Sequence, residues 1–180
     1  MANLAVPVMR TFTVGEYETA AYFNSNIRDA ANFLLNVPAC NAIQATLQSV
    51  PNTTWTSLSL DSTVFDPYGG HSVSTNNSRY TAQVAGWYLV FAAACYATNS
   101  TGWRGIRVAK NGTAVAGSAT EIQANTVAAA LTTIGTPSVI VFLNAGDYVE
   151  GQGYQTSGGA LNTAVNADAN CGLTTVWLHT

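Results

Sequence analysis

The sequence contains very few charged side chains. Only 8% of its 180 residues are Asp, Glu, Lys or Arg, and the formal net charge at pH 7 is −3. Its six basic residues are spread singly along the chain, whereas binding to nucleic-acid phosphates needs a cluster of cations. We therefore expect no nucleic-acid partner. So little charge suits a surface that is largely packed against other protein subunits.

The chain also lacks a long hydrophobic run. Its longest apolar stretch, residues 84–97, is too short to span a bilayer. The N-terminus lacks the order of charged, apolar and small residues that marks a secretory signal. We expect no membrane insertion and no processing. The length of 180 residues is sufficient for one compact domain with an appendage.

Residues for catalysis or tight metal binding are sparse. Cys40, Cys95 and Cys171 form no CxxC pair, which favours neither a disulfide framework nor a zinc site, and we interpret Cys95 and Cys171 as buried small hydrophobes. The two histidines are His71, which we expect to be solvated in a glycine-rich turn, and His179. We therefore predict no enzymatic activity, no catalytic residues and no cofactor.

Two carboxylates leave one alternative open. Asp147 and Glu150 lie three residues apart at a predicted hairpin and could hold a hard cation. The preferred interpretation is a turn residue and a solvated strand residue, so we predict no metal site.

The first part of the chain predicts an extended arm followed by one helix. Residues 1–14 lack both helical periodicity and strand alternation. A helix is expected over residues 19–36, with Thr19 as its N-cap and Pro38 preventing its continuation. Apolar residues recur at helical spacing and predict a stripe that must be covered: Phe23, Ile27, Ala30, Ala31 and Leu34. The helix packs either on its own β domain or on another protein.

The remainder of the chain predicts a mainly β domain. Residues 36–51 are interpreted as a connector, which divides the chain into an arm, helix and linker at 1–50 and a β domain at 51–180. Strands are expected around Trp55, Leu58, Leu60 and Val64, and over residues 128–132, 138–143, 148–152 and 173–178. Many strands without intervening helices indicate a sandwich or jelly roll.

Residues 79–115 predict the two central strands of this domain. The apolar run 84–97 ends in a turn cluster at Asn99–Gly102, and a second apolar stretch leads to Asn111-Gly112. Asn-Gly is the strongest short hairpin signal that a sequence offers, because both residues tolerate positive φ. Gly86 is expected where a side chain would obstruct entry into the first strand.

The order of these motifs resembles the jelly roll of the complement globular-head and tumour necrosis factor superfamily, in the form used by tailed bacteriophages. The resemblance covers about residues 55–180. It rests on the following segments: Tyr80, Gly86-Trp87-Tyr88, Val108-Ala109-Lys110-Asn111-Gly112, Val139 to Leu143, Asn144-Ala145-Gly146-Asp147-Tyr148-Val149 and the C-terminal strand. It implies a jelly-roll β-sandwich that assembles as a homotrimer.

The N-terminal stretch is similar to segments that open many minor tail or fibre proteins of phages infecting actinobacteria. The matching motifs are Gly15-Glu16, Thr19-Ala20-Ala21 and Asn24-Ser25-Asn26-Ile27-Arg28-Asp29. This similarity implies a virion protein, made in the host cytoplasm, whose residues 1–36 bind other virion proteins. The expected docking residues are Phe12, Phe23, Ile27, Arg28, Asp29 and Leu34.

These motifs do not determine the position of the protein in the virion or its ligand. The leading hypothesis is a trimeric tail-tip or fibre component, and the alternatives are a capsid decoration protein or a module that binds host-surface carbohydrate or a receptor. For the last alternative, Trp103 and Tyr154 are the candidate residues to stack on a host glycan.

Overall fold

The fold consists of antiparallel strands preceded by a helical segment. The computed structural model describes residues 6–8, 10–125 and 130–180. The helical segment comprises α1 (Ala20–Phe23), a π-helical turn (Asn24–Arg28) and α2 (Asp29–Leu35). The strands are β1 (Ala39–Ile43), β2 (Ser49–Val50), β3 (Thr56–Ser57), β4 (Ser62–Phe65), β5 (Arg79–Thr81), β6 (Gly86–Tyr96), β7 (Trp103–Lys110), β8 (Thr113–Ala114), β9 (Thr120–Gln123), β10 (Thr132–Gly135), β11 (Val139–Leu143), β12 (Tyr148–Gln155), β13 (Leu161–Asn162) and β14 (Gly172–His179).

Twelve of the strands form two antiparallel sheets around one core, and β2 pairs with β13 in a separate two-stranded sheet. Sheet I has the order β10-β6-β14-β1-β4, with β11 also paired to β6. Sheet II has the order β3-β12-β7-β8, with β5 paired to β12 and β9 paired to β7. Buried apolar side chains from both sheets form a single cluster. The predicted mainly β sandwich is confirmed.

Strand β6 is the centre of sheet I. It pairs with β14 along one side, and with β11 and then β10 along the other. A Cβ atom on Gly86 would lie 2.2 Å from Trp177 Nε1, which confirms that only glycine fits at the entry to this strand. The two predicted central strands, β6 and β7, lie in opposite sheets and are joined by the turn that follows Tyr96.

The Asn111-Gly112 hairpin and most predicted strands are confirmed. The hairpin predicted at Asn144–Asp147 is wrong, because this turn joins β11 of sheet I to β12 of sheet II and the two strands do not pair. Asn111 and Gly112 both have positive φ, 49° and 80°, as an Asn-Gly hairpin requires. Leu58 and Leu60 are buried in the core, whereas Val64 is exposed. Of the strand expected at residues 128–132, positions 128 and 129 lie outside the described residues, and β10 begins at Thr132.

The interpretation of residues 36–51 as a connector is wrong. Strand β1 pairs with β14 from Ala39↔Val176 to Ile43↔Gly172, and so belongs to sheet I. Its inward side chains, Cys40 and Ala42, are buried but small, which left no strong strand pattern in the sequence. The functional division of the chain at residue 50 stays a prediction.

The predicted helix is confirmed, with a distortion at its middle. Thr19 caps it, since its hydroxyl oxygen accepts a hydrogen bond from the backbone N–H of Tyr22 at 3.3 Å. The side chains of Ser25 and Asn26 both donate to the carbonyl oxygen of Tyr22, at 3.3 and 2.9 Å. This competition with the backbone coincides with the π-helical turn at Asn24–Arg28.

The helix packs on its own sandwich through a residue outside the predicted stripe. Phe33 is the buried side chain of the helical segment, and its ring meets Trp177 edge-on with centroids 4.9 Å apart. The predicted stripe is not covered, because Phe23, Ile27 and Leu34 are exposed. Among the described residues, Phe33–Trp177 is the ring contact that joins the helix to the sandwich.

The hydroxyl of Tyr96 ties the two sheets together. This fully buried hydroxyl on β6 donates to the Gly105 carbonyl at 2.8 Å and accepts from the Tyr154 N–H at 2.8 Å, both on strands of sheet II. Burial raises the pKa of Tyr96 far above its usual range, so the hydroxyl stays protonated and able to donate.

We predict that Tyr96→Phe lowers the free energy of unfolding by about 1 to 3 kcal/mol, because two buried backbone groups lose their partner. The control is Tyr154→Phe, because the hydroxyl of Tyr154 forms no hydrogen bond with the described residues. Urea unfolding of both variants measures the difference. Equal stability of the two variants would contradict a cross-sheet role for Tyr96.

Candidate interaction surfaces

The outer surface of sheet I carries a patch of large apolar side chains. We call it the apolar face, and it consists of Trp87, Leu89 and Phe91 on β6 with Ile140 and Phe142 on β11. Strand register places Ile140 opposite Leu89 and Phe142 opposite Trp87, so these side chains share one surface. All five are 37–59% exposed in the single chain.

The pattern of β6 explains why this face exists. Alternate residues of a strand point to opposite sides, and its inward set, including Tyr88 and Val90, is fully buried in the core. The outward set is equally apolar, and β6, β11 and β14 contain no Asp, Glu, Lys or Arg. An antiparallel sheet that faces water on one side normally alternates apolar and polar residues. Sheet I therefore has the composition of a sheet covered on both faces.

The aromatic side chains of the apolar face pack closely against their neighbours. The ring of Trp87 meets that of Phe142 in a T-shaped contact with centroids 5.4 Å apart. A Cβ atom on Gly135 would lie 2.8 Å from Phe91 Cζ, so the Phe91 ring occupies the space that glycine leaves on β10. The result is a contiguous apolar surface of aromatic and aliphatic side chains, of the kind that marks an interaction site.

The arm and helix form a second apolar surface. The predicted docking residues Phe12, Phe23, Ile27 and Leu34 are 45–71% exposed. Arg28 and Asp29, the polar members of the same set, pair with each other at 2.9 Å. Their role in docking stays a prediction. No helix in the described part of the chain is long and apolar enough to cross a bilayer.

Contacts with the helix hold part of the arm in place. The guanidinium of Arg10 lies 4.5 Å from the ring centroid of Tyr22 and forms an ion pair with Glu16. Further back, Val6 and Pro7 line an apolar cavity of about 140 Å³ together with Phe33 and Trp177. The described arm residues before Val14 form neither helix nor strand, as predicted, whereas residues 1–5 and 9 lie outside the described chain.

Trp103 and Tyr154, the predicted ligand contacts, share the outer face of sheet II. Tyr154 lies opposite Gly105, two residues along β7 from Trp103. Trp103 is 50% exposed, but Tyr154 stacks on Trp55 with ring centroids 5.0 Å apart. Arg107 adds its guanidinium 4.2 Å from the Trp55 ring centroid. Tyr154 is therefore engaged by its own chain, and Trp103 is the exposed ring.

Sequence reasoning missed the part that Trp55 and Arg107 play on this surface. They approach each other because β3 and β7 flank β12, a long-range arrangement with no local signal. Whether Trp103 or Tyr154 contacts a ligand stays a prediction.

His71 is half-buried, and both ring nitrogens lie within hydrogen-bond distance of protein oxygens, so its side chain is less solvated than expected. Its Nδ1 lies 2.7 Å from Thr63 Oγ1 and its Nε2 lies 3.2 Å from the Asn77 carbonyl oxygen. Its backbone N–H donates to Asp66 Oδ2 at 2.7 Å. An isolated bridge to Tyr80 holds this segment against β5.

The two candidate cation ligands, Asp147 and Glu150, bind different protein groups. Asp147 accepts hydrogen bonds from Asn111 Nδ2 at 2.8 Å, from the Asn144 N–H at 2.9 Å and from Lys110 Nζ, which lies 3.0 Å away. Glu150 accepts from Ser78 Oγ and Gln152 Nε2 and is buried, so its interpretation as a solvated strand residue is wrong. Among residues 6–8, 10–125 and 130–180, no three His, Cys, Asp or Glu side chains are grouped to hold a metal.

The cysteines are buried thiols, and the interpretation of Cys95 and Cys171 as small hydrophobes is confirmed. The Cys95 N–H donates to Cys171 Sγ at 3.4 Å. Burial raises the pKa of Cys40 and of Cys171 to about 12, so these two thiols stay protonated and unreactive near neutral pH.

Comparison with known proteins identifies the fold. No protein-family model and no curated protein matches the sequence. A crystal structure of murine APRIL superposes with a TM-score of 0.57 at 10% identity, covering 77% of this chain and 98% of that one. The globular domain of zebrafish complement 1qA protein gives a TM-score of 0.53 at 13% identity, covering 79% and 97%. The chain therefore has the jelly-roll fold of tumour necrosis factor and complement C1q domains, as predicted.

We predict that Asp147→Asn destabilises the protein near neutral pH and that the effect disappears in acid. Hydrogen bonds from Asn111, the Asn144 amide and Lys110 hold the pKa of Asp147 below its ordinary value. A lowered folded-state pKa contributes stability above the unfolded-state pKa of about 4, and this contribution is lost as the pH falls through the folded-state pKa.

Thermal unfolding from neutral pH to about pH 2 tests this prediction, with the exposed Asp168→Asn as the control. The wild-type and Asp147→Asn midpoints should converge as the pH falls. A difference that does not change with pH would contradict it.

Proposed function

We propose that the protein is a homotrimeric structural component of a tailed-bacteriophage virion, at the tail tip or in a fibre. The apolar face of sheet I is the observation that carries the trimer. Three neighbouring strands without a charged residue form a surface that water solvates poorly, and contact with identical chains removes it from water. The role is structural and requires no catalytic centre.

The occupant proposed for the apolar face is a second copy of the chain. A closed ring of identical subunits can bury the same aromatic patch in every protomer, which suits a face that has no charge to pair with a polar partner. The jelly-roll fold and the low overall charge of the chain support this assignment. Aromatic side chains such as Trp87 and Phe142 are also enriched at subunit contacts.

Residues 1–36 supply the proposed attachment to other virion proteins. Two observations support it: the N-terminal motifs resemble those of phage tail and fibre proteins, and Phe23, Ile27 and Leu34 are exposed on a helix that Phe33 anchors. An anchored helix with an apolar outer surface can dock without unfolding the sandwich. Attachment to the capsid surface as a decoration protein would use the same segment, and is the alternative position.

We predict that the intact protein in solution has three times the mass of the 18.8 kDa chain. The Leu89→Asp variant should have the mass of one chain. A carboxylate at the centre of the apolar face would be buried without a partner on association. The matched control is Leu47→Asp, a leucine that is 57% exposed on a loop outside the face, which should remain trimeric. Sedimentation velocity measures the masses, and circular dichroism checks folding. A monomeric wild type, or a trimeric Leu89→Asp, would refute the proposed interface.

We also predict that the double change Phe23→Ser and Ile27→Ser prevents incorporation into phage particles while leaving the trimer intact. These side chains are exposed, and the Phe33–Trp177 contact that joins the helix to the sandwich is untouched. Val73→Ser, at an exposed apolar position on the loop between β4 and β5, is the control. Immunodetection on purified particles measures incorporation, and normal incorporation of the double variant would rule out docking through this helix surface.

A further inference from the structure

A polar cleft lies between the end of β4 and the start of β6. Its volume is about 300 Å³, which is at the lower end for small-molecule sites. The loop joining β4 to β5 forms much of its wall, and β5 closes one side. Its lining side chains include an imidazole, hydroxyls, amides and a guanidinium: His71, Ser72, Thr75, Asn76, Arg79 and Gln83.

The guanidinium of Arg79 is the unpaired charge in this cleft. Its Cζ lies 4.2 Å from the ring centroid of Tyr148, a cation–π contact that holds the side chain beside β12. Among the described residues it forms no ion pair, and its Nε is buried without a hydrogen-bond partner. Its two Nη groups also donate to no described residue, and unlike the buried Nε they are not enclosed, so a bound oxyanion would supply them with acceptors.

The nearest carboxylates do not fill this role. Glu150 lies opposite Arg79 across the β5–β12 pair, but its oxygens accept hydrogen bonds from Ser78 and Gln152. Asp66 at the base of the loop accepts the backbone N–H of His71 through Oδ2; its Oδ1 is buried without a hydrogen-bond partner and forms no ion pair with Arg79. The planar fork of Arg79 is therefore left for a ligand, and its geometry matches a carboxylate or a phosphate.

Two lining side chains have hydrogen-bonding capacity to spare. Ser72 Oγ accepts from the backbone N–H groups of Ser74 and Thr75, which leaves its hydroxyl proton free to donate. Gln83 donates through Nε2 to the Thr81 carbonyl, which leaves its Oε1 free to accept. The part of a ligand next to its anionic group would therefore meet one hydrogen-bond donor and one acceptor. A sugar hydroxyl can pair with both.

We propose that this cleft binds an acidic sugar, with its carboxylate on Arg79 and its hydroxyls on Ser72 and Gln83. The site lies beside β5, which pairs with residues 148–150 of β12, whereas β3, which follows Trp55, pairs with residues 152 and 153. It therefore occupies a different stretch of sheet II from the surface formed by Trp103, Tyr154 and Trp55. It does not depend on trimer formation or on docking through the helix. A protein with such a site would contact uronic-acid-type units of a surface glycan.

The test is a titration of the ¹⁵N-labelled intact protein with glucuronate, glucose and inorganic phosphate, followed by NMR. We expect glucuronate to shift the amide signals of residues 69–76 and the side-chain amide of Gln83, and glucose to bind more weakly. Arg79→Gln should weaken glucuronate binding about tenfold or more, because a charge-assisted bidentate contact is lost.

Arg107→Gln is the matched control, since Arg107 also stacks on an aromatic ring at 4.2 Å on sheet II but has its own partner in Gln152 Oε1 at 2.8 Å. It should bind glucuronate like the wild type. The proposal is overturned if glucuronate leaves the cleft signals unchanged, if Arg79→Gln binds as tightly as the wild type, or if phosphate binds there and glucuronate does not. Each of these outcomes leaves the trimer measurement unaffected.

Discussion

The antiparallel pairing of β6 with three other strands is the interaction on which the rest of the structure depends. Because β14 lies on one side and β11 and β10 on the other, the strand is committed along its whole length. Because successive side chains of β6 point to opposite sides of the sheet, this pairing determines both the core face and the outer face of sheet I. Burying Tyr88 and Val90 in the core leaves Trp87, Leu89 and Phe91 on the outside. An apolar outer face is thus a direct consequence of the strand that builds the core.

The ends of β6 connect this sheet to the other parts of the molecule. At its start, Gly86 leaves room for Trp177, whose ring in turn receives Phe33 from the helix. At its end, the Tyr96 hydroxyl reaches strands of sheet II. Beyond it, the fully buried Arg104 donates to the carbonyl oxygens of Asn99 and Thr101 and holds the turn between the sheets. One strand therefore links the proposed attachment helix, the proposed subunit contact and the second sheet.

Features with a local physical cause could be predicted from the sequence. The Thr19 cap, the Asn111-Gly112 hairpin and the need for glycine at position 86 follow from backbone geometry within a few residues. Strand β1 escaped prediction because it has small inward residues and its partner β14 lies at the other end of the chain. Long-range pairing also decides which faces residues share.

The candidate sites were accessible from the sequence to different degrees. Low charge and aromatic content indicated subunit contact, but they could not show that Trp87 and Phe142 meet on one face of sheet I. The engagement of Tyr154 by Trp55 required the register of β12. Likewise, no sequence pattern marks Arg79 as a ligand-binding residue. Its candidacy depends on its contact with the Tyr148 ring and on the lack of an ion pair, which only the structure shows.

The central claim is that the apolar face is covered by neighbouring copies of the chain. Hydroxyl-radical footprinting of the intact protein in solution, read by mass spectrometry, tests it most directly because it measures the exposure of individual side chains. Trp87 and Trp103 are 38% and 50% exposed in the single chain and provide an internal comparison. The account predicts that Trp87 is protected while Trp103 is labelled. Similar labelling of both tryptophans would contradict it.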